Sequence, residues 1–418
     1  MAGAGHSNCD SMLNGEDEMT SDAYTHAAAF DRIEKDLVDR AEALRPVLRE
    51  RQAETESQSQ YSEEVHELFV DAGFYRMLVP RRFGGLEVGV DTFMQVVTAL
   101  ARGCASTGWA LCLGASHALQ VGTLFDEATQ REIFGDGLFI CPTTVAPQGK
   151  MVRDTTGEWI INGTFNYCSG SAYATHYMGH AIEEADGPNP PEIHLFVAPR
   201  KIWTRLDDWR DTLGLKGSSS NSIKIENGRV ASNWVLPNTW FTTVDVSSGT
   251  VGEQVHSNPM YAGPPLSFAL LEIASLALGI VQGARDEYRE LMESKMTPAP
   301  PLVPRTQDPT YQRWYGTATA AVDSAEAITR HASSLWMQYC RAGNFTHRKD
   351  VEIIGMATEA IELCWNALHQ VLLRTAGSSV LRSGSRLERA WRDMSMVRSH
   401  NGVVAYSERS RIELGQYP

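Results

Sequence analysis

Apolar positions recur at helical spacing through the first third of the chain. Between Asp31 and Glu56, the residues Ile33, Leu37, Ala41, Leu44 and Leu48 stand three or four apart among charged neighbours, the stripe of an amphipathic helix. Ser62-Glu63-Glu64-Val65 predicts a second helix: a serine caps its start, acids fill its first turn, and Gly73 lies just past its end. Pro80 and Gly84-Gly85 break the pattern. A further helix is predicted from Asp91 to Arg102, and Trp109 to Gln120 reads as a nearly uncharged one.

The texture changes between Phe139 and Phe241. Short β-branched and aromatic runs appear, such as Glu158-Trp159-Ile160-Ile161, Ile193-His194-Leu195-Phe196-Val197 and Ser222-Ile223-Lys224-Ile225. Turn residues separate them: Thr156-Gly157, Asn162-Gly163, Asp186-Gly187-Pro188 and Asn227-Gly228. Helical spacing returns from Pro265 to Gln416. Pro298, Pro300, Pro301, Pro304 and Pro309 interrupt it, which predicts an exposed loop between two long helices. The expected plan is an α+β, mainly α, fold. It has a disordered tail over 1–23, an N-terminal helical domain over 24–138, a middle antiparallel β domain over 139–245 and a C-terminal helical domain over 246–418.

Composition narrows the classes. Of 418 residues, 43% are hydrophobic and 21% charged, ordinary for a globular protein and unlike a disordered chain. A formal net charge of −14 argues against general nucleic-acid binding, which needs a surplus of Lys and Arg. The seven cysteines are scattered without a CxxC pair, as expected of free thiols in a reducing cytoplasm. The acidic start, with Asp10, Glu16, Asp17 and Glu18, lacks the basic and apolar regions of a signal peptide. Leu266 to Ala284 is nearly long enough to span a bilayer. It holds Glu272 and Gln282 and runs on into a charged helical pattern, so a buried bundle helix is expected rather than a membrane span.

Generic catalytic signatures are missing: no dinucleotide fingerprint, P-loop, nucleophile elbow or HExxH. His176 and His180 are four apart, but in a strand that spacing separates two ligands too widely, and no metal site is expected. More informative is a set of four segments in order: Pro142-Thr143-Thr144-Val145-Ala146-Pro147-Gln148-Gly149, Asn162 to Gly170, Leu213 to Asn221, and Arg389-Ala390-Trp391-Arg392-Asp393 followed by His400. Val79-Pro80-Arg81-Arg82-Phe83-Gly84-Gly85 precedes them.

Together these resemble the acyl-CoA dehydrogenase superfamily, over about residues 30 to 412. The resemblance implies an N-terminal helical domain, a middle β domain and a C-terminal four-helix bundle. It also implies a homotetramer. Acyl-CoA dehydrogenases use a glutamate base. None follows Arg392-Asp393 until Glu408, and the alternative helix position falls near Ala269, with Glu272 the nearest carboxylate. Arg392-Asp393 followed by His400 instead resembles the two-component flavin-dependent aromatic monooxygenases of this fold.

That likeness implies reduced FMN or FAD as co-substrate, supplied by a separate NAD(P)H:flavin reductase. It implies O2 carried as a flavin C4a-hydroperoxide, and a phenolic or other electron-rich aromatic substrate. His400 would be base or orienter, because an imidazole titrating near neutrality can accept a phenol proton. Ser169, with Gly170, would approach flavin N5. Tyr167 would flank the ring, although the family usually has Trp or Phe there. Thr144 would line the flavin and substrate cavity, and His117 the substrate pocket. Ser218, in a glycine- and serine-rich stretch, would contact the flavin, and Lys216 replaces the usual arginine beside it. Arg285, Arg305 and Arg330 are candidates for the flavin phosphate, and Gly377-Ser378 for the flavin tail. The competing readings are a dehydrogenase with Glu272 as displaced base, an N- or S-oxygenating enzyme of the same fold, and a non-catalytic flavin-binding protein.

Overall fold

A computed structural model describes residues 16–135, 137–184 and 190–416. The first region is helical: α1 (Glu16–Glu50), α2 (Gln52–Gln58), α3 (Glu63–Asp71), α4 (Val90–Gly103), α5 (Ala105–Ala115), α6 (His117–Leu124) and α7 (Glu127–Phe134). Residues 1–15 of the expected tail lie outside the described residues, but residues 16–23 are already helix and form the first turns of α1. Ser62 caps α3 by accepting from the Val65 amide, as its sequence predicts. Ser116 keeps right-handed helical angles, so α5 and α6 run on as one nearly continuous buried rod.

The middle region is one seven-stranded sheet of β1 (Lys150–Arg153), β2 (Trp159–Cys168), β3 (His176–Glu183), β4 (Glu192–Pro199), β5 (Trp203–Arg205), β6 (Asn221–Val230) and β7 (Val235–Leu236). The spatial order is β5-β6-β2-β1-β3-β4-β7. The expected antiparallel pairing holds except at β1–β3, which run parallel through Lys150 and Ile182. The chain leaves β2 and passes beyond β1 before returning as β3, so the two neighbours point the same way. The expected turn at Asp186-Gly187-Pro188 lies outside the described residues. Met151, Trp159, Ile161, Phe165, Tyr177, Phe196, Ile223 and Ile225 form a core of their own on this sheet. Two register shifts break the β2–β6 pairing, the second between Phe165 and Cys168. An irregularity of this kind re-aims the strand end, here at Ser169 and Gly170.

The last region comprises α8 (Val251–His256), α9 (Pro265–Ser294), α10 (Pro309–Arg341) and α11 (His347–Asn366). A π-helical stretch continues α11 into α12 (Arg374–Ala376), and α13 (Arg386–Arg398) and α14 (Asn401–Gly415) follow. The central helix is α9, packed against α4, α10, α11 and α13. A Cβ on Gly279 would sit 2.4 Å from the Thr98 carbonyl, so glycine is what lets α4 and α9 approach. By length and composition α9 could cross a membrane, yet 89% of its apolar stretch is buried inside the fold.

Candidate active site

The site begins with a strained loop. Leu215 and Ser219 have φ of +50° and +49°, a region that costs a residue with a Cβ roughly 1–2 kcal/mol. Helix α13 clamps it. Asp393 Oδ1 accepts from the Leu215 amide at 2.6 Å, and Arg392 Nη1 donates to the Leu213 carbonyl at 2.9 Å. Between them lies Gly214, where a Cβ would stand 2.2 Å from the Arg392 carbonyl. Glu56 on α2 ties the clamp down through Arg389 at 2.7 Å and Arg392 at 2.9 Å. Burial raises the Asp393 pKa to about 6, against the opposing pull of the Leu215 amide and Arg392. A cleft of about 220 Å³ reaches Asp393 from outside, but Arg49, Arg102, Arg386 and Arg389 on its walls are each paired with a carboxylate.

The clamped loop delivers a string of hydroxyls. Leu215 O receives the Ser218 hydroxyl at 2.7 Å; Ser218 and Ser220 are 2.7 Å apart, and Ser220 and Ser169 2.8 Å. The Gly170 amide donates to Ser218 O at 2.9 Å. Gly170 has φ +81°, and a Cβ there would meet the Ala110 carbonyl at 2.6 Å, so the strand end lies against α5. From α5, the Trp109 indole N–H donates to Ser169 Oγ at 2.9 Å. The same indole meets the His400 ring edge-on, centroids 5.7 Å apart. Ser169 and His400 are thus joined through Trp109. Ser218 is fully buried behind Ser220, so its hydroxyl serves the string.

His400 caps α14, its Nδ1 accepting from the Gly402 amide at 3.3 Å. The residue is open to solvent yet surrounded by protein mass, and that desolvation lowers its pKa. The ring is accessible and packs edge-on against Trp109. Along the α5–α6 rod, Trp109, Leu113 and His117 recur every four residues on one face. Leu113 is the one residue from Gly103 to Thr123 that is not fully buried. On α9, Ala269 is likewise the one accessible residue between Pro265 and Gln282. His117 Nδ1 is 2.8 Å from both the Leu113 and Cys141 carbonyls, so it carries the proton. Its Nε2 makes no hydrogen bond among the described residues, and burial lowers its pKa to about 4.

Glu272 is 1% exposed and faces the α5–α6 rod near Cys112 and Ser116, and burial raises its pKa well above the ordinary carboxylate value. It does not replace the missing base.

The remaining expected residues are dispersed. The Thr144 hydroxyl pairs with the Tyr177 OH of β3 and is buried, while Thr143 beside it is half-exposed. Tyr167 is 54% exposed and packs on Trp209, whose indole donates to Leu215 O at 3.0 Å, so it borders the loop from outside. Arg285 pairs with Asp323 at 2.7 Å and Arg330 with Glu326 at 2.7 Å. Arg305 differs. It is 9% exposed, has no carboxylate partner among the described residues, and lies over the Tyr311 ring beside Gly377, which adjoins exposed Ser378. A buried guanidinium without an acid suits a phosphate, so the residues present fit a flavin nucleotide.

Histidine tautomers speak on metals. His180 Nδ1 donates to Thr144 O at 2.9 Å and its Nε2 accepts from the Phe241 amide at 3.1 Å, leaving no free lone pair. Glu183, Glu192 and His194 gather their ligand atoms within 4.8 Å. His194 Nδ1 accepts from the Asn238 amide, so Nε2 carries the proton and donates to Glu183 at 2.9 Å.

Sequence reasoning passed over Trp109 and Ser220 as site residues and read Asp393 only as part of a motif. The eight-residue spacing of Trp109 and His117, two steps of four, was visible; the bonds joining Trp109 to Ser169 and Asp393 to Leu215 span 60 and 178 residues and left no local mark.

Residues 36–133 match the family model described as "Acyl-CoA dehydrogenase, N-terminal domain", and residues 271–405 match "Acyl-CoA dehydrogenase, C-terminal domain". Among curated proteins, the chain is 29% identical over 374 residues to a pigment production hydroxylase of a Rhodococcus species, covering 89% of this chain and 93% of that protein. It is 24% identical over 393 residues to the oxygenase component of p-hydroxyphenylacetate 3-hydroxylase of Acinetobacter baumannii, covering 90% and 88%. Among solved structures it resembles XiaF of Streptomyces in complex with FADH2 and glycerol, with a TM-score of 0.83, 20% identity, and 93% and 98% of the two chains covered.

Proposed function

We propose that this chain, which belongs to the acyl-CoA dehydrogenase family, is the oxygenase component of a two-component flavin-dependent monooxygenase acting on an aromatic substrate. The observation that carries this reading is the exchange of chemistry at one site. Accessible Ala269 and buried Glu272, whose pKa burial raises, stand where a dehydrogenase needs a carboxylate base, and His400 lies edge-on beside Trp109. Reduced flavin, delivered by a separate reductase, supplies when bound the two electrons that let one oxygen atom of O2 enter the substrate and the other leave as water.

The protein's own residues divide the remaining tasks. His400 Nδ1 accepts from Gly402, so the neutral ring keeps its proton on Nε2 and donates to a substrate oxygen. This favours orientation over proton abstraction. His117 has the opposite polarity: Nδ1–H is held by two carbonyls, and bare Nε2 accepts from a substrate O–H or N–H. A phenol, whose oxygen accepts from His400 and whose O–H donates to His117, fits this pair. Arg305, with Gly377 and Ser378, would hold the flavin phosphate, and Ser169 would face the ring.

A homotetramer in the cytoplasm completes the reading. Exposed Val404 and Ile412 on α14 offer apolar side chains to a partner subunit, and the six described cysteines are free and buried. The test supplies chemically reduced FMN and isotopically labelled O2 with a panel of phenols and indoles. Labelled hydroxylated product is expected. Oxygen consumption without labelled product, together with anaerobic flavin bleaching by an acyl-CoA, would return the chain to the dehydrogenases.

A further inference from the structure

The hydrogens of the serine string can be placed without seeing them. A carbonyl oxygen cannot donate, so the hydrogen in the 2.7 Å contact between Ser218 Oγ and Leu215 O belongs to Ser218. With that hydrogen committed, the 2.7 Å contact between Ser218 and Ser220 needs the hydrogen of Ser220. The 2.8 Å contact between Ser220 and Ser169 then needs the hydrogen of Ser169. At the far end the Trp109 N–H, which can only donate, enters Ser169 Oγ at 2.9 Å. Every bond runs the same way, from Trp109 to the Leu215 carbonyl. That carbonyl belongs to the residue whose amide Asp393 pins at 2.6 Å, so the sink of the string is fixed.

The members are 3% (Trp109), 8% (Ser169), 3% (Ser220) and 0% (Ser218) exposed, so water has little access with which to reverse the order. The string leaves Ser169 with a lone pair to offer and no hydrogen to give. We propose that Ser220 and Ser218 are positioning residues that make Ser169 an acceptor-only group toward the flavin ring, so that the site selects reduced over oxidised flavin. This rests on the flavin reading above. Reduced flavin carries a hydrogen on N5, which Ser169 can accept. Oxidised flavin presents a bare lone pair there, which faces the Ser169 oxygen unfavourably. Selection of this kind suits an oxygenase that must take reduced flavin from solution and release it once oxidised.

The test measures dissociation constants for oxidised FMN and for dithionite-reduced FMN under anaerobic conditions. It uses the wild-type chain, Ser220→Ala, Ser220→Thr and Ser218→Ala. Wild type is expected to bind reduced FMN more tightly. Ser220→Ala frees the Ser169 hydrogen, and the oxidised-to-reduced ratio should fall about three- to tenfold, the worth of one hydrogen bond. Ser218→Ala removes the acceptor that orders Ser220 and should lower the ratio in the same direction, which keeps the test alive if Ser220→Ala does not fold. Ser220→Thr retains the hydroxyl and should restore the ratio. Ratios unchanged within twofold in both alanine variants would overturn the polarity argument while leaving flavin binding intact. Failure of the wild-type chain to bind FMN in either state would overturn the flavin reading itself, and this inference with it.

Discussion

The Trp109 indole donates its N–H to Ser169 Oγ at 2.9 Å while its ring meets His400 edge-on, with centroids 5.7 Å apart. One side chain thus sets the spacing between the serine expected at the flavin and the imidazole expected at the substrate. Trp109→Phe keeps a ring against His400 and removes the donor. The expected stability loss is about 1 kcal/mol, one buried hydrogen bond. The expected kinetic effect is a lower kcat with KM nearly unchanged, because Ser169 loses its anchor while His400 keeps its aromatic neighbour. Thermal unfolding and steady-state hydroxylation check both. A raised KM with unchanged kcat would place Trp109 in substrate binding alone.

His400 has two roles that substitution can separate. It caps α14 through Nδ1, which leaves Nε2 free for a substrate. Asparagine is a good cap, so His400→Asn should leave stability within about 0.5 kcal/mol, whereas His400→Ala should lose roughly 0.5–2 kcal/mol. Both should lower hydroxylation about 10²- to 10⁴-fold if the ring acts on the substrate. Because desolvation lowers the His400 pKa, the neutral donor form prevails at and above neutrality. The wild-type hydroxylation rate should be level from pH 7 upward and fall only toward pH 4, where His117 takes a proton on Nε2 and can no longer accept. A rate that instead rises steadily with alkalinity would argue for proton abstraction by a group of higher pKa.

Asp393 couples the clamp to pH. Its folded pKa of about 6 lies above the ordinary 3.8, so between these values the folded protein holds the extra proton. Its contribution to stability is present below about pH 3.8 and is lost as pH rises through 6, about 2–3 kcal/mol by linkage. An asparagine at this position would still accept from the Leu215 amide without carrying a charge. Asp393→Asn should therefore be more stable than wild type above pH 6 and equal to it near pH 4, read from urea midpoints across that range. Asp393→Ala should be less stable at every pH, since the strained Leu215 loses its partner. Parallel curves for wild type and Asp393→Asn would mean that the carboxylate is not desolvated as the structure describes.

Much of this was legible in the sequence, for physical reasons that differ by element. Ser62 capped α3 where its first-turn acids placed it, and the turn residues between Phe139 and Phe241 marked the sheet region, because both signals are local. The parallel β1–β3 contact and the early start of α1 were not legible: one depends on the path of the whole chain, the other on marginal polar positions. Ser169 and His400 were read from motif, and the structure brings them to one indole. Thr144 and Arg285 were named without their partners, because Tyr177 and Asp323, which the structure brings to them, lie 33 and 38 residues away in sequence. The hydroxyl string could not be read at all, since the bulge that turns Ser169 and the clamp that holds Ser218 and Ser220 come from distant parts of the chain.

Arg305 offers the most direct check on the flavin phosphate. Its guanidinium is 9% exposed and donates to the Ala376 carbonyl at 3.1 Å and the Met296 carbonyl at 3.3 Å, with no carboxylate to neutralise it among the described residues. Gly377, at φ +95°, brings its backbone beside the guanidinium; a Cβ there would lie 3.8 Å from Arg305 Nη2. A charge-assisted bond to phosphate is worth about 1.5–3 kcal/mol. Arg305→Gln should therefore weaken binding of reduced FMN roughly 10- to 100-fold. Binding of reduced riboflavin, which has the same ring and no phosphate, should be the same in wild type and variant. Anaerobic titration of both ligands supplies the comparison. An equal loss for FMN and riboflavin would mean that Arg305 supports the fold around Ala376 rather than the phosphate, and the phosphate site would then have to be sought elsewhere on the protein.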